Sequence, residues 1–172
     1  GTRTEDGLYF FLHQMETASP GKVFGFRFVD NWLAHVDNPD ASTFQWHITQ
    51  TKVPFTQVST NGHLVFGGAV MRDGDWVYVF GTDSRGGMKK HGFGRGMVVA
   101  RVAADRIAHF KRWRFLSNGQ WQTDFTKVTP VFNRVAPEFS ICYQPALKKY
   151  VAIYTEGGLS PNILLRTAPA PE

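Results

Sequence analysis

The stretch "FGGAVMRDGDWVYVFGTDSRGGMKKHGFGRGMVVARVA", Phe66 to Ala103, holds three runs of apolar, aromatic and β-branched residues joined by one tight and one long polar link. "FGGAVMR" meets "DWVYVFGTD" through "DGD" at 73–75, a composition suited to a hairpin turn. "MVVARVA" follows a loop of glycines and basic residues. Three successive antiparallel strands are the direct reading.

The pattern recurs. "GLYFFLHQ" (Gly7 to Gln14) and "KYVAIYTEG" (Lys149 to Gly157) resemble the middle strand, while "VFGFRFV" with Arg27 and "ILLRTA" with Arg166 match the strand holding Arg101. "TFQWHIT" with Trp46 and "FKRWRFL" with Trp113 add predicted fourth strands, and "EFSICYQ", turned through "PALK" at 145–148, supplies a second first strand. The period is near seventy: 69 residues separate Tyr9 from Tyr78, 74 separate Arg27 from Arg101, and 67 separate Trp46 from Trp113. A repeated unit of four antiparallel strands is the grammar of a propeller blade.

The predicted fold class is therefore all-β, a β-propeller of four-stranded blades, five-bladed when complete. Residues 1–60 form a partial blade, 61–130 a whole one and 131–172 another partial one. That is about half of a ring, so both ends read as cut. A β-sandwich also has short, regularly spaced strands, but the ordered recurrence of Arg and Trp argues against it.

Composition narrows the function. Aromatic residues are 15% of the chain and Gly is frequent, with no long Ala/Leu/Glu/Lys segment to favour helix. No run is long and apolar enough for a membrane span, so no membrane partner is expected. Cys142 is the one cysteine, expected to be buried and unreactive inside its strand. The net charge of +5 tolerates anionic partners, yet basic residues cluster only in Ser84–Gly96, where no phosphate-loop motif occurs; nucleic acid is not the expected partner. His13, His63 and His91 have no ligand spacing, so neither metal nor other cofactor is expected.

In such blades the start of the first strand and the loop between second and third strands open on one face. That face collects Gly67, Gly68, Glu138 and the loops around His13, Arg85, His91 and Glu156. Glu138 is expected to begin an innermost strand as a buried pocket carboxylate. Asp83 and Glu156 end second strands on the same face, as ligand contacts or as turn residues capping their own backbone. Arg27, Arg101 and Arg166 are expected to bridge neighbouring blades. Trp121 in "NGQWQTD" is read as blade packing, or as a platform for a sugar face.

The residues "FGGAV…WVYVFGTD…MVVARV" and "PEFSICYQPALKKYVAIYTEGGLSPNILLRTAPAP" resemble the five-bladed β-propeller families of the glycosidase type. They look most like a bacterial domain-of-unknown-function family related to arabinan-acting furanosidases, over Asp6 to Glu172. The resemblance implies a glycoside hydrolase with Glu138 catalytic, and Asp83, Glu156, His13, Arg85 and His91 about a carbohydrate substrate. It also implies a secreted or periplasmic location. Glycoside cleavage uses two carboxyl groups, and the matching strand start in the preceding blade carries Gly67 and Gly68, so the second acid is expected elsewhere. A non-catalytic carbohydrate-binding propeller and a protein-interaction propeller are the alternatives.

Overall fold

The computed structural model describes residues 1–21, 25–92, 94–158 and 160–172. Its strands are β1 (Thr2–Thr4), β2 (Gly7–Thr17), β3 (Phe26–Val36), β4 (Ile48–Lys52), β5 (Gln57–Ser59), β6 (Gly62–Asp73), β7 (Trp76–Asp83), β8 (Arg95–Ala103), β9 (Arg114–Ser117), β10 (Gln120–Gln122), β11 (Phe132–Gln144), β12 (Lys149–Glu156) and β13 (Ile163–Ala168). Short 3-10 turns are the helical elements among the described residues. The fold is all-β and antiparallel.

A four-stranded sheet runs β1-β2-β3-β4. A nine-stranded sheet runs β13-β12-β11-β8-β7-β6-β5, with β9 on β8 and β10 on β9. The expected separation of the second and third repeats is thus bridged. β9 pairs only with Ala100 and Arg101 of β8, which leaves the edge around Arg95–Met97 free for Phe132 and Val135 of β11. Val135 also pairs with Glu156 of β12, and past a register break β11 continues along β12 from Phe139 to Gln144.

Side-chain alternation along β7 explains why that strand reads as a continuous apolar run. Val77 and Val79 enter a cluster with Phe66, Val98, Trp113 and Phe115, while Tyr78 and Phe80 enter another with Met97, Val99, Phe139 and Tyr154. Burial on both faces removes the polar half of the usual alternation. Fully burying each such side chain contributes about 1.5–3 kcal/mol. The first cluster reaches the four-stranded sheet through Tyr9, Leu33 and Phe11, with Phe11 edge-on to Trp113 at 5.9 Å.

The predicted Trp strands differ in detail. Thr43–Gln45 and Phe110–Arg112 are 3-10 turns, each capped by the Trp that follows, and the fourth strands begin at Ile48 and Arg114. The turn before Trp113 drives its indole inward, where Nε1 donates to the Ile107 carbonyl at 2.9 Å. Val23 and Phe24 of the predicted third strand, Lys22 and Leu159 of the predicted loops, and Phe93 of the basic loop lie outside the described residues.

The recurrent arginines act within a sheet rather than between repeats. Arg27 pairs with Glu16 across β2–β3. Arg101 lies between the rings of Trp76 (4.5 Å) and Trp121 (4.2 Å), and Arg166 lies over Phe132 (4.8 Å) while donating to the Tyr154 hydroxyl at 2.5 Å. Trp121 is therefore a half-buried lid on Arg101, in the β9–β10 hairpin rather than in a loop. Cys142 is exposed: it shares its face of β11 with Ser140 and Gln144, opposite the Phe139 and Ile141 face that packs inward.

Candidate functional site

An open cleft of about 440 Å³ is lined by Phe11, Leu12 and His13 of β2, Gly67 and Gly68 of β6, and Pro137, Glu138 and Phe139 of β11. It lies where the three repeats meet. The register of β6 breaks between Phe66 and Ala69, so Gly67 and Gly68 sit at an irregularity in the ladder. Gly67 has φ of +99°, and a Cβ there would come within 2.4 Å of Phe11; one on Gly68 would come within 2.9 Å of the Phe139 ring. Side chains are thus excluded at both positions, and the two glycines let β2 and β11 close on β6.

The Phe66 carbonyl at the start of this irregularity is held from the four-stranded sheet. Asn31 Nδ2 donates to it at 2.6 Å, and His13 Nε2 lies 3.4 Å away. Burial lowers the His13 pKa, partly offset by that carbonyl. The ring of Phe28 separates the two histidines of this face, edge-on to His13 (5.4 Å) and stacked on His63 (5.3 Å). Burial also lowers the His63 pKa, followed by the charges of Arg95 and His13, with Asp83 opposing. Both imidazoles therefore hold their neutral form below the pH at which a free histidine would charge.

Glu138 is exposed inside β11, rather than buried at a strand start, because β11 begins six residues earlier along β8. Its carboxylate makes no hydrogen bond or ion pair, and it is the acid that lines the cleft among the described residues.

The other predicted site residues are engaged elsewhere. Asp83 is buried, and Arg85 meets its two oxygens at 2.9 and 2.8 Å while also reaching Gln57 Oε1 (2.7 Å) and the Thr126 carbonyl (3.0 Å). Burial acts to raise the Asp83 pKa, but the hydrogen bonds and charge of Arg85 outweigh it and hold the carboxyl below its ordinary range. His91 is buried and bonded through Nδ1 to Asn133 Oδ1 at 2.9 Å. Glu156 pairs with Arg134 at 2.9 Å and accepts from Asn162 Nδ2 at 3.1 Å. Of the six residues predicted for the site, Glu138 and His13 share the cleft.

Two residues at this face escaped the sequence reading. Asn31 gave no signal, since its role depends on a bulge in another sheet. Arg95 was counted only among the loop charges, whereas two extra residues at the start of β8 bring it into the ladder opposite Val135.

A larger crevice of about 750 Å³ runs between the β9–β10 hairpin and β11–β13, past Phe80, Trp121, Phe132, Tyr150 and Arg166. Its cation is already engaged by Tyr154 and Phe132, and its acid is Glu172 at the end of the chain. Among the described residues no group of three or more His, Cys, Asp or Glu side chains is arranged to hold a metal ion, and no helix is long and apolar enough to cross a membrane.

The family described as "Domain of unknown function (DUF4185)" matches residues 9–172. The chain belongs to the DUF4185 family. Among solved structures, this DUF4185 chain is similar to a Bacteroides ovatus ATCC 8483 protein called a "putative hydrolase", with 14% identity and a TM-score of 0.65. The likeness covers 99% of this chain and 41% of that one, so the DUF4185 chain spans well under half of the neighbour's length. At that identity the likeness shows the fold. No curated protein matches the chain.

Proposed function

We propose that this DUF4185 chain is part of a five-bladed β-propeller acting on a polysaccharide or oligosaccharide as a glycoside hydrolase, with Glu138 as a catalytic carboxyl group. The observation that carries the reading is Glu138 itself, an unpaired carboxylate on an open cleft where three repeats meet. Each repeat is an antiparallel run of strands in chain order, which supports blades. Glycosidic cleavage needs a carboxyl group able to reach the substrate, and Glu138 has no partner to break from first. The neighbour's name agrees with hydrolysis as a reaction class. An arabinofuranosyl-containing substrate and a place outside the cytoplasm, where polysaccharide is met, complete the proposal.

A non-catalytic carbohydrate-binding propeller is the second reading, favoured by the engagement of Asp83 with Arg85 and of Glu156 with Arg134. Neither is free to act as the second carboxyl group that hydrolysis requires. Product analysis on arabinan and other plant and bacterial polysaccharides, run beside equilibrium binding to their oligosaccharides, separates the two. Released sugars support hydrolysis. Binding without products supports the second reading, and neither binding nor products rejects carbohydrate as the partner.

A further inference from the structure

We infer that the Glu138 cleft recognises a carbohydrate bearing an anionic group, a uronate carboxylate, and that Arg95 is the residue that binds it. The inference rests on the carbohydrate reading above and names the substrate class.

One residue beyond the Leu64–Asp83–Gly96 row of the ladder, His63, Ser84 and Arg95 fall side by side. Ser84 holds the row together: its N–H donates to the His63 carbonyl at 2.8 Å, and its Oγ accepts from the His63 N–H at 2.9 Å. Arg95 in turn pairs with Val135, three residues before Glu138 on β11. Side chains in one row of a sheet share a face, which sets Arg95 between His63 and the Glu138 strand.

The Arg95 guanidinium makes no hydrogen bond or ion pair, and its Nε is buried without a partner. The half-buried cations Arg85 and Arg101 have Asp83 and a pair of indole rings, and even the exposed Arg134 and Arg166 have Glu156 and the Phe132 ring. The charge of Glu138 acts on Arg95, yet the two are not paired.

An unpaired, partly desolvated cation is costly to keep unless something completes it. A guanidinium presents its donors as a planar fork that fits a carboxylate in two parallel hydrogen bonds. The two histidines stay neutral and so offer hydrogen bonds to sugar hydroxyls without adding charge.

The test is equilibrium binding of the chain to oligosaccharides of galacturonate, glucuronate or mannuronate, each beside its carboxyl-reduced neutral counterpart, with a single-stranded oligonucleotide as a second polyanion. At least one acidic oligosaccharide is expected to bind 10-fold or more tighter than its neutral form, with affinity falling as salt rises. Arg95→Gln should abolish that preference and Arg95→Lys should keep part of it, both with an unchanged melting temperature. Equal binding of acidic and neutral forms, insensitive to Arg95→Gln, overturns the role of Arg95 and leaves the carbohydrate reading standing. Binding of the oligonucleotide with no acidic sugar, or of no probe at all, overturns the uronate inference, while the carbohydrate reading stands or falls on the arabinan experiment above.

Discussion

The strands β6–β8 and the strands β11–β13 belong to one sheet and carry similar sequence patterns, yet their surroundings differ. β7 is buried at every position from Val77 to Asp83, because the four-stranded sheet covers one face and β11–β12 the other. In β11–β13 the face carrying Phe139, Tyr154 and Leu164 packs inward, while Ile153, Ile163 and Leu165 on the opposite face are exposed, Ile163 by 73%. A strand pattern fixes which residues share a face, and only a neighbouring layer decides whether that face is a core.

The largest expected effect comes from emptying the covered layer. Phe66→Ala should destabilise the chain by about 3–5 kcal/mol, whereas Leu165→Ala should stay within about 0.5 kcal/mol. Urea denaturation midpoints check this. Comparable losses at both sites would mean that the β13 face is covered in solution.

The ion pairs sharpen the contrast. Asp83→Asn leaves Arg85 half-buried without its anion and is expected to cost about 3 kcal/mol, while Glu156→Gln, at a pair with an exposed Arg134, should cost under about 1 kcal/mol. Asp83 titrates below its ordinary range when folded, so the stability it adds is complete above the unfolded carboxylate pKa of about 3.9 and is lost as pH falls through the folded value. Thermal melts from pH 5 to pH 2 should show a steeper decline for wild type than for Asp83→Asn.

A smaller effect is expected from the histidines of the cleft. His13 and His63 both have pKa values below that of unfolded histidine, so the folded state binds fewer protons in that window. Stability should be full above about pH 6.5 and should decline as pH falls from there through the folded values. His13→Gln with His63→Gln should flatten that part of the profile, which NMR titration of the two imidazoles can follow directly.

Much of this fold was legible in the sequence because its central strands obey local rules. The "DGD" hairpin, the apolar runs on either side and the seventy-residue recurrence need no tertiary information. The Trp segments were misread as strands because a 3-10 turn of Thr43–Gln45 or Phe110–Arg112 has no composition that separates it from a strand start. Cys142 was expected to be buried because alternation gives sides without saying which side is covered. The strand order read from the sequence put Glu138 and His13 on one face, and both line the cleft. Asn31 and Arg95 were not, since each gains its place from a partner strand distant in sequence.

The most direct measurement compares two glutamates of the same strand pair: Glu138, unpaired at the cleft, and Glu156, paired with Arg134. Turnover of a cleaved oligosaccharide is measured for wild type, Glu138→Gln and Glu156→Gln, with binding affinity alongside. Glu138→Gln should lower turnover by about 100-fold or more while affinity survives, and Glu156→Gln should leave turnover within about 3-fold. Unchanged turnover in Glu138→Gln would contradict the assignment of the cleft as the working site.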